Sequence, residues 1–454
     1  MIAVDGAASP SAAKPVPAGP SRPPNIVFIM ADDLGYADLG CYGRRDLSTP
    51  NIDQIAKKGI RLLQAYANSA VCSATRLALI TGRYQYRLPL GLEEPLAGKP
   101  DVGLPPEHPT LPSLLRQVGY QTSLVGKWHL GMPPDFGPSR SGYDRFFGIR
   151  SGAVDYYSHE NPRRQHDLWD GDVPVRRRGY LTDILGDQAV DAVNVHAASG
   201  RPFLLSLHFT APHWPWEAPG DAAESERLRG TDLRHFDGGT QRTYIRMIQA
   251  MDLQIGRVLQ ALDANGLSDD TIVIFTSDNG GERFSDTWPF TGVKTELLEG
   301  GLRIPVVICW PTRIPAGQVS DQVTITMDWF QTLLAAAGIV PHADYPADGL
   351  DLLPILTKQH EPVRRTLFWR YKSNAQRAVR DGDFKYLKIQ DNTFLFNVVD
   401  DPRERANLRE RRKDLFDRMV SDWHAWNATM LPEIADSFAE TYTAAQLADH
   451  IGLR

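Results

Sequence analysis

The chain predicts an α/β fold: a large, mostly parallel sheet with helices on both faces, followed by a small antiparallel sheet with one packed helix. Three observations carry this expectation. Up to about residue 360, continuous apolar runs of strand length alternate with segments of helical period. Each of those runs empties into polar residues capable of chemistry. Beyond that point the texture changes to short strand-like runs joined by turn residues such as Asp381-Gly382-Asp383.

Taken in order, residues 1–24 are rich in Ala, Pro, Ser and Gly and lack an apolar segment, which reads as a disordered leader. Such a tail often follows a cleaved export signal, so an exported or periplasmic protein is expected, a cytoplasmic one being the alternative. Asn25-Ile26-Val27-Phe28-Ile29-Met30 suits a strand buried on both faces, and it ends in Asp32-Asp33. Thr49-Pro50 is an N-cap and N1 pair for a helix running through Ile52, Ile55 and Leu62. A short apolar helix then opens at Cys72, buries Leu77, Ala78 and Ile80, and stops at Gly82. In its first turn Cys72 meets the positive end of the helix dipole, where an anionic nucleophile or an anionic substrate is favoured. Arg76, at i+4, projects from the same face.

Residues 111–118 read as a helix stopped by Gly119, and Thr122-Ser123-Leu124-Val125 as a strand emptying into Gly126-Lys127-Trp128-His129. Residues 203–209 form another buried run, emptying into Ala211-Pro212-His213. Tyr244, Met247, Ile248, Met251, Ile255, Val258, Leu259 and Leu262 keep a 3.6-residue period. Residues 271–275 are the next strand, ending in Ser277-Asp278-Asn279-Gly280-Gly281. After residue 360, short strands over 366–369, 377–380 and 384–387 precede a helix carrying Leu415, Met419 and Trp423. The expected division is therefore a leader over 1–24, an α/β domain over 25–360 and a smaller α+β unit over 361–454.

Composition narrows the function. At 454 residues the chain exceeds the size at which one core usually stops growing. A net charge of −6 gives no pull toward nucleic acid or an anionic membrane, and no apolar run reaches the roughly 20 residues that span a bilayer. Cys41, Cys72 and Cys309 cannot build a disulfide framework, and their odd number leaves at least one thiol for another task.

In parallel α/β sheets chemistry sits beyond the carboxyl ends of the strands, which is where these polar residues fall. Asp32, Asp33, Asp278 and Asn279 form an all-oxygen set suited to a hard divalent cation such as Ca²⁺ or Mg²⁺. Lys127, His129, His213 and Lys294 add positive charge and proton-transfer capacity, a combination suited to phosphate or sulfate.

Cys72-Ser73-Ala74-Thr75-Arg76, continued by Leu79-Ile80-Thr81-Gly82-Arg83, resembles the signature of the formylglycine-dependent sulfatases, with Ala74 where the commonest form has proline. Gly126-Lys127-Trp128-His129-Leu130-Gly131 is similar to the second signature of that family. Residues 142–148, 25–36, 49–53, 211–213, 276–280, 292–294 and 299–305 fit it in the same order, and the resemblance runs to the turn of Asp401-Pro402, Glu404 and Asn407-Leu408. It implies an alkaline-phosphatase-like fold and hydrolysis of an aryl or carbohydrate sulfate ester. By the same resemblance, Cys72 is converted to Cα-formylglycine by a formylglycine-generating enzyme, and Asp32, Asp33, Cys72, Asp278 and Asn279 surround a Ca²⁺, with Mg²⁺ the alternative. The hydrated aldehyde would attack sulfur and later eliminate sulfate. Arg76 and Lys127 would hold the diol, His129 would assist its deprotonation, and His213 and Lys294 would bind sulfate and protonate the leaving oxygen.

Two other readings compete. A phosphonate or phosphate ester hydrolase of the same superfamily would use the same parts. A non-catalytic binder of sulfated glycans would use the basic clusters Arg163-Arg164 and Arg176-Arg177-Arg178. Specificity is expected in the loops at 84–108, 150–180 and 214–240, where Tyr156, Tyr157, Trp214 and Trp216 could stack on a ring and Ser158-His159 could match a further active-site position.

Overall fold

The computed structural model describes residues 23–231 and 238–441. Residues 1–22 of the expected leader and 442–454 of the expected C-terminal unit lie outside the described residues. The first third of the fold comprises β1 (Asn25–Ala31), α1 (Pro50–Lys58), β2 (Ile60–Leu62), β3 (Ala65–Tyr66), α2 (Cys72–Thr81), α3 (Leu111–Gln117), β4 (Gln121–Lys127) and β5 (Arg145–Ile149). The middle holds β6 (Trp169–Asp170), β7 (Val173–Pro174), α4 (Leu181–Ser199), β8 (Phe203–His208), α5 (Ala222–Leu228), α6 (Gln241–Ala264) and β9 (Thr271–Ser277). The chain continues through α7 (Glu299–Leu302), β10 (Val306–Cys309), β11 (Gln318–Ser320), β12 (Thr324–Ile325), α8 (Asp328–Ala336) and α9 (Leu353–Leu356). It closes with β13 (Thr366–Tyr371), β14 (Gln376–Asp381), β15 (Phe384–Ile389), β16 (Asn392–Asn397) and α10 (Lys413–Asn427).

Among the described residues ten strands form one sheet in the order β11-β2-β10-β9-β1-β8-β4-β5-β6-β7. Its centre is parallel: β1 lies between β8 and β9, with Met30 opposite His208 on one side and Thr276 on the other, and β4 joins β8 to β5. The strands β10 and β6 run against their neighbours, so the expected sheet is mixed toward its edges. Every residue of β1 is buried, and its alternate side chains feed two separate cores. Val27 and Ile29 pack with α1, α4 and α6, whereas Ile26, Phe28 and Met30 pack with α2, α3 and α8. A strand covered on both faces needs this unbroken apolar sequence.

Two sequence expectations near α1 are corrected. Leu62 belongs to β2 rather than to the helix, which ends before Gly59. There β10 packs so closely that a Cβ on residue 59 would lie 2.0 Å from the Ile308 carbonyl. Thr49 does not cap the helix with its side chain; its Oγ1 accepts from Gly40 N–H and donates to Asp53. The cap comes from across the molecule, where the Asp252 carboxylate of α6 accepts from the N–H groups of Asn51 and Ile52.

Strands β13 to β16 form an antiparallel meander packed by Met419, Trp423 and Trp426 of α10. This core continues into Val71, Ala74 and Ala78, so the small sheet braces the back of α2. Trp369 Nε1 fixes the contact by donating to Ala67 O at 2.9 Å. Among the described residues no helix is long and apolar enough to cross a membrane.

Candidate active site

The carboxyl ends of β1, β9 and β4 converge beside the N-terminus of α2, and all the residues singled out there are buried. Asp33 has a φ of 64°, which turns the chain sharply off β1 and lets its N–H donate to Asp278 Oδ1 at 3.2 Å. Near the end of β4 the close approach of β8 requires Gly126, whose φ is 113° and where a Cβ would lie 1.8 Å from His208 O.

Single donor atoms of Asp32, Cys72 and Asp278 lie within 4.8 Å of one another, as do those of Asp32, Asp33 and His213. The cations are interleaved. Arg76 donates to Asp278 Oδ2 from Nη2 at 2.8 Å and Nε at 3.1 Å, and its Nη2 is 3.7 Å from Asp32 Oδ1. Lys127 Nζ donates to Asp32 Oδ2 at 2.6 Å and Lys294 Nζ to Asp33 Oδ2 at 2.8 Å. Asn279 Nδ2 donates to Asp33 Oδ1 at 2.7 Å.

The two histidines have defined tautomers because a carbonyl can only accept. His213 Nδ1 donates to Trp214 O at 2.7 Å, leaving the Nε2 lone pair 3.4 Å from Lys294 Nζ. His129 Nε2 donates to Leu96 O at 2.9 Å, leaving Nδ1 a buried acceptor without a partner. Burial holds both imidazoles well below their ordinary pKa, reinforced by Lys127 at His129; at His213, Asp33 opposes and Lys294 reinforces it. Both rings are therefore neutral and able to take a proton.

The carboxylates divide. Burial pushes Asp32 well above its ordinary range, which Lys127 offsets only in part. Burial also acts on Asp33, but Lys294, His213 and Lys127 outweigh it and hold that carboxyl well below its ordinary range. Cys72 behaves unlike the helix-dipole expectation: burial dominates and its thiol is pushed up to about 12. As a thiol it is not poised to ionise, so its place in the cluster suits a converted side chain.

The donor set fits a hard divalent cation. Asp32 Oδ1 and Asn279 Oδ1 are buried oxygens without a hydrogen-bond partner, a costly arrangement unless a cation fills it. Oxygen donors from carboxylates and one amide match calcium or magnesium better than zinc. Asp32, Asp33 and Asp278 already face Arg76, Lys127 and Lys294, so a divalent ion would add the positive charge that draws an anion.

Several candidates fall elsewhere. Tyr156 is fully buried, stacks on Tyr180 and donates to Thr210 O and His213 O, while the Tyr157 hydroxyl ties residues 218–221. Trp216 packs edge-on against Phe284. Trp214 lies against a site side chain, with its ring 4.4 Å from that of His213. His159 sits in the 155–167 loop, its backbone bonded to Asp155 and Asp167, with no hydrogen bond to the cluster. Arg163 and Arg164 clamp loop carbonyls of Gly98 and Leu228, whereas residues 176–178 are exposed. Two acidic residues escaped notice in the sequence: Glu282 Oε2 and Glu440 Oε2 lie 3.9 and 4.0 Å from Lys294 Nζ. Glu440 is remote in sequence and sits in no motif, so only the fold reveals it.

Comparison with known proteins agrees with this geometry. The Sulfatase family profile matches residues 24–339, and the profile "N-sulphoglucosamine sulphohydrolase, C-terminal" matches residues 293–422. N-acetylgalactosamine-6-sulfatase of Rattus norvegicus is 35% identical over 392 residues, covering 81% of this chain and 72% of that protein. Steryl-sulfatase of Mus musculus is 33% identical over 461 residues, covering 81% and 71%. Among solved structures, Ps i-CgsB in complex with k-i-k-neocarrahexaose superposes with a TM-score of 0.82 at 30% identity, covering 95% of this chain and 98% of that one. The phosphonate monoester hydrolase of Agrobacterium radiobacter shares the fold alone, at 21% identity and a TM-score of 0.64 over 89% and 95% of the two chains.

The chain belongs to the sulfatase family, with an alkaline-phosphatase-like fold. It is a sulfuric ester hydrolase, and the family implies a bound metal and a formylglycine.

Proposed function

We propose that this sulfatase acts on a sulfated carbohydrate, with a calcium ion held by Asp32, Asp33, Asp278 and Asn279 and with Cys72 matured by a formylglycine-generating enzyme. The observation that carries the reading is the pair of partnerless buried oxygens, on Asp32 and Asn279, in a cluster where Asp32 and Asp278 meet Cys72 amid Arg76, Lys127 and Lys294. The carbohydrate preference is supported by relatives that act on N-acetylgalactosamine 6-sulfate or were solved with a neocarrahexaose.

When bound, the metal would supply Lewis-acid polarisation of a sulfate oxygen, and the hydrated aldehyde would supply an oxygen nucleophile. The remaining work falls to this chain's side chains. Arg76 and Lys127 fix the orientation of Asp278 and Asp32 and keep positive charge at the base of the pocket. His129 Nδ1, a bare acceptor, takes a proton from the nucleophile. Lys294 Nζ donates to a sulfate oxygen, and His213, neutral in the free site, gains at Nε2 the proton it passes to the leaving alcohol once the anionic ester is bound. Aligned donors of this kind contribute on the order of 10²–10³ in rate each. Catalysis is assigned to residues 25–360 and the bracing of α2 to the unit beginning at 361.

The test combines mass spectrometry of the tryptic peptide bearing Cys72 with turnover of paired aryl sulfate and aryl phosphonate substrates. An aldehyde at Cys72 and faster sulfate turnover are expected. An unmodified thiol in an active enzyme would overturn the nucleophile, and faster phosphonate turnover would overturn the substrate class.

A further inference from the structure

We infer that Glu440, delivered by a C-terminal strap, is a specificity residue that accepts a hydrogen bond from a sugar hydroxyl beside the scissile sulfate and turns away a second sulfate there. The inference rests on the assignment of Lys294 to the sulfate site.

The strap is held in place with unusual thoroughness for a segment so near the end of the described chain. After α10, Leu431 N–H donates to Tyr86 O at 3.0 Å. Lys372 Nζ then reaches the carbonyls of Ile434, Ala435 and Ser437 at 2.9, 2.7 and 2.5 Å. Lys99 Nζ bridges Asp436 O at 2.9 Å and Glu93 Oε1 at 2.7 Å. The last residues then pair with the segment at Glu94, whose N–H donates to Phe438 O while Glu440 N–H donates to Glu94 O. The Tyr371 hydroxyl closes on Glu440 O at 2.8 Å.

This anchoring acts on the backbone and leaves the Glu440 carboxylate free. Its Oε2 points toward Lys294 at 4.0 Å, too far for a hydrogen bond, and has no donor. Glu282 Oε2 stands across the same lysine, likewise without a donor. A carboxylate oxygen shielded from water without a donor bears a desolvation cost that a ligand hydroxyl would recover. The Glu440 carboxylate beside the sulfate-binding lysine gives that side of the pocket negative character. A polyol presenting hydroxyls fits it, and a further anionic group is repelled.

The experiment uses the full chain with converted Cys72 and compares wild type, Glu440→Ala, Glu440→Gln and Lys372→Ala. Galactose and N-acetylgalactosamine 4- and 6-sulfates are screened with wild type, and the best is compared with its disulfated counterpart and with 4-nitrophenyl sulfate, whose ring offers no hydroxyl. Glu440→Ala is expected to lower kcat/KM on the monosulfated sugar at least about tenfold relative to the aryl sulfate, mainly through KM. Glu440→Gln keeps the acceptor and removes the charge, so it should raise the disulfated-to-monosulfated ratio at least about tenfold. Lys372→Ala, which loosens the strap without touching substrate, should move both ratios the same way. Equal losses on all three substrates, or ratios within about twofold of wild type, would overturn the inference by reducing Glu440 to a structural role. Absence of any wild-type turnover on the panel is a separate signature: it removes the sulfatase site reading, and the inference with it.

Discussion

Two buried clusters among the described residues pair carboxylates with cations and differ in how tightly their own side chains close around the carboxylate oxygens. One is the group at the carboxyl edge of the parallel sheet; the other lies where the small C-terminal sheet meets the large domain. In the second, Lys385 Nζ sits 3.0 Å from Glu299 Oε1 and 2.9 Å from Glu404 Oε1, Arg303 Nε is 2.7 Å from Glu299 Oε2, and the Tyr66 hydroxyl adds a 2.8 Å bond. Burial raises the Glu299 carboxyl, but Lys385, Arg303 and Arg380 outweigh it and bring its pKa down to about 2. At the sheet edge the balance goes the other way at Asp32, where burial wins over Lys127 and one oxygen finds no donor. The fold cluster is held by its own ion pairs: even Glu404 Oε1, which accepts no hydrogen bond, lies 2.9 Å from Lys385 Nζ, whereas Asp32 Oδ1 is 3.7 Å from Arg76 Nη2. A cluster left open at a buried oxygen is organised for something the chain does not supply.

The largest effect that would break the contrast comes from Cys72→Ser. It should lower sulfate ester turnover on the order of 10⁴-fold or more while near-UV circular dichroism stays native. Retention of a hundredth of the activity would refute the assigned nucleophile. Chelation should likewise abolish turnover, with recovery on adding calcium, because the open oxygens of Asp32 and Asn279 would again lack a partner. Chelation should not move the thermal midpoint through the Glu299 cluster, which holds no open oxygen pair of that kind.

Next in size is Lys385→Met. Removing one partner of a buried pair leaves Glu299 and Glu404 short of counter-charge and should cost about 3–5 kcal/mol in urea unfolding. Activity per folded molecule should persist. Lys127→Met is the mirror image: turnover falls on the order of 10²–10³. Its stability should change less than that of Lys385→Met, since relief of the Asp32 site partly offsets the lost pair. If Lys127→Met unfolds the protein and Lys385→Met silences it, the assignment of roles is reversed.

Much of the open cluster was legible in the sequence because parallel sheets gather strand ends. The run from Asn25 to Met30, ending in Asp32-Asp33, and the run ending in Asp278-Asn279 are each local signals, and β1 and β9 are neighbours in the sheet. Lys127 was legible for the same reason, and Cys72 and Arg76 as an i, i+4 pair in the first turns of α2. The closed cluster was not, because Glu299, Lys385 and Glu404 come from α7, β15 and a loop, and no local period marks a buried ion pair. Glu440 was invisible on the same grounds, as its position depends on long-range bonds from Lys372 and Tyr371. The aromatic residues misled for a different reason. Tyr156, Tyr157 and Trp216 have polar groups or edges satisfied by the loops themselves, and periodicity cannot distinguish a ring that packs from one that waits for a sugar.

The smallest effect tests the sign of the electrostatics at Glu299. Its folded pKa is about 2 against an ordinary 4.5, so between those values the unfolded chain holds a proton that the folded one does not. The stabilisation is complete above 4.5 and is lost as pH falls toward 2, at about 1.4 kcal/mol per pH unit from this group. Glu299→Gln cannot titrate, so its disadvantage against wild type in urea unfolding should shrink between about pH 5 and about pH 3. Glu217 provides the opposite control. Burial beside Asp155 raises it to about 9, so it folds protonated and its contribution declines as pH rises above 4.5. Glu217→Gln should therefore gain on wild type as pH increases over that range. A gap for Glu299→Gln that widens on acidification would mean that the cations around Glu299 fail to outweigh burial, and the distinction between a closed and an open cluster would lose its electrostatic basis.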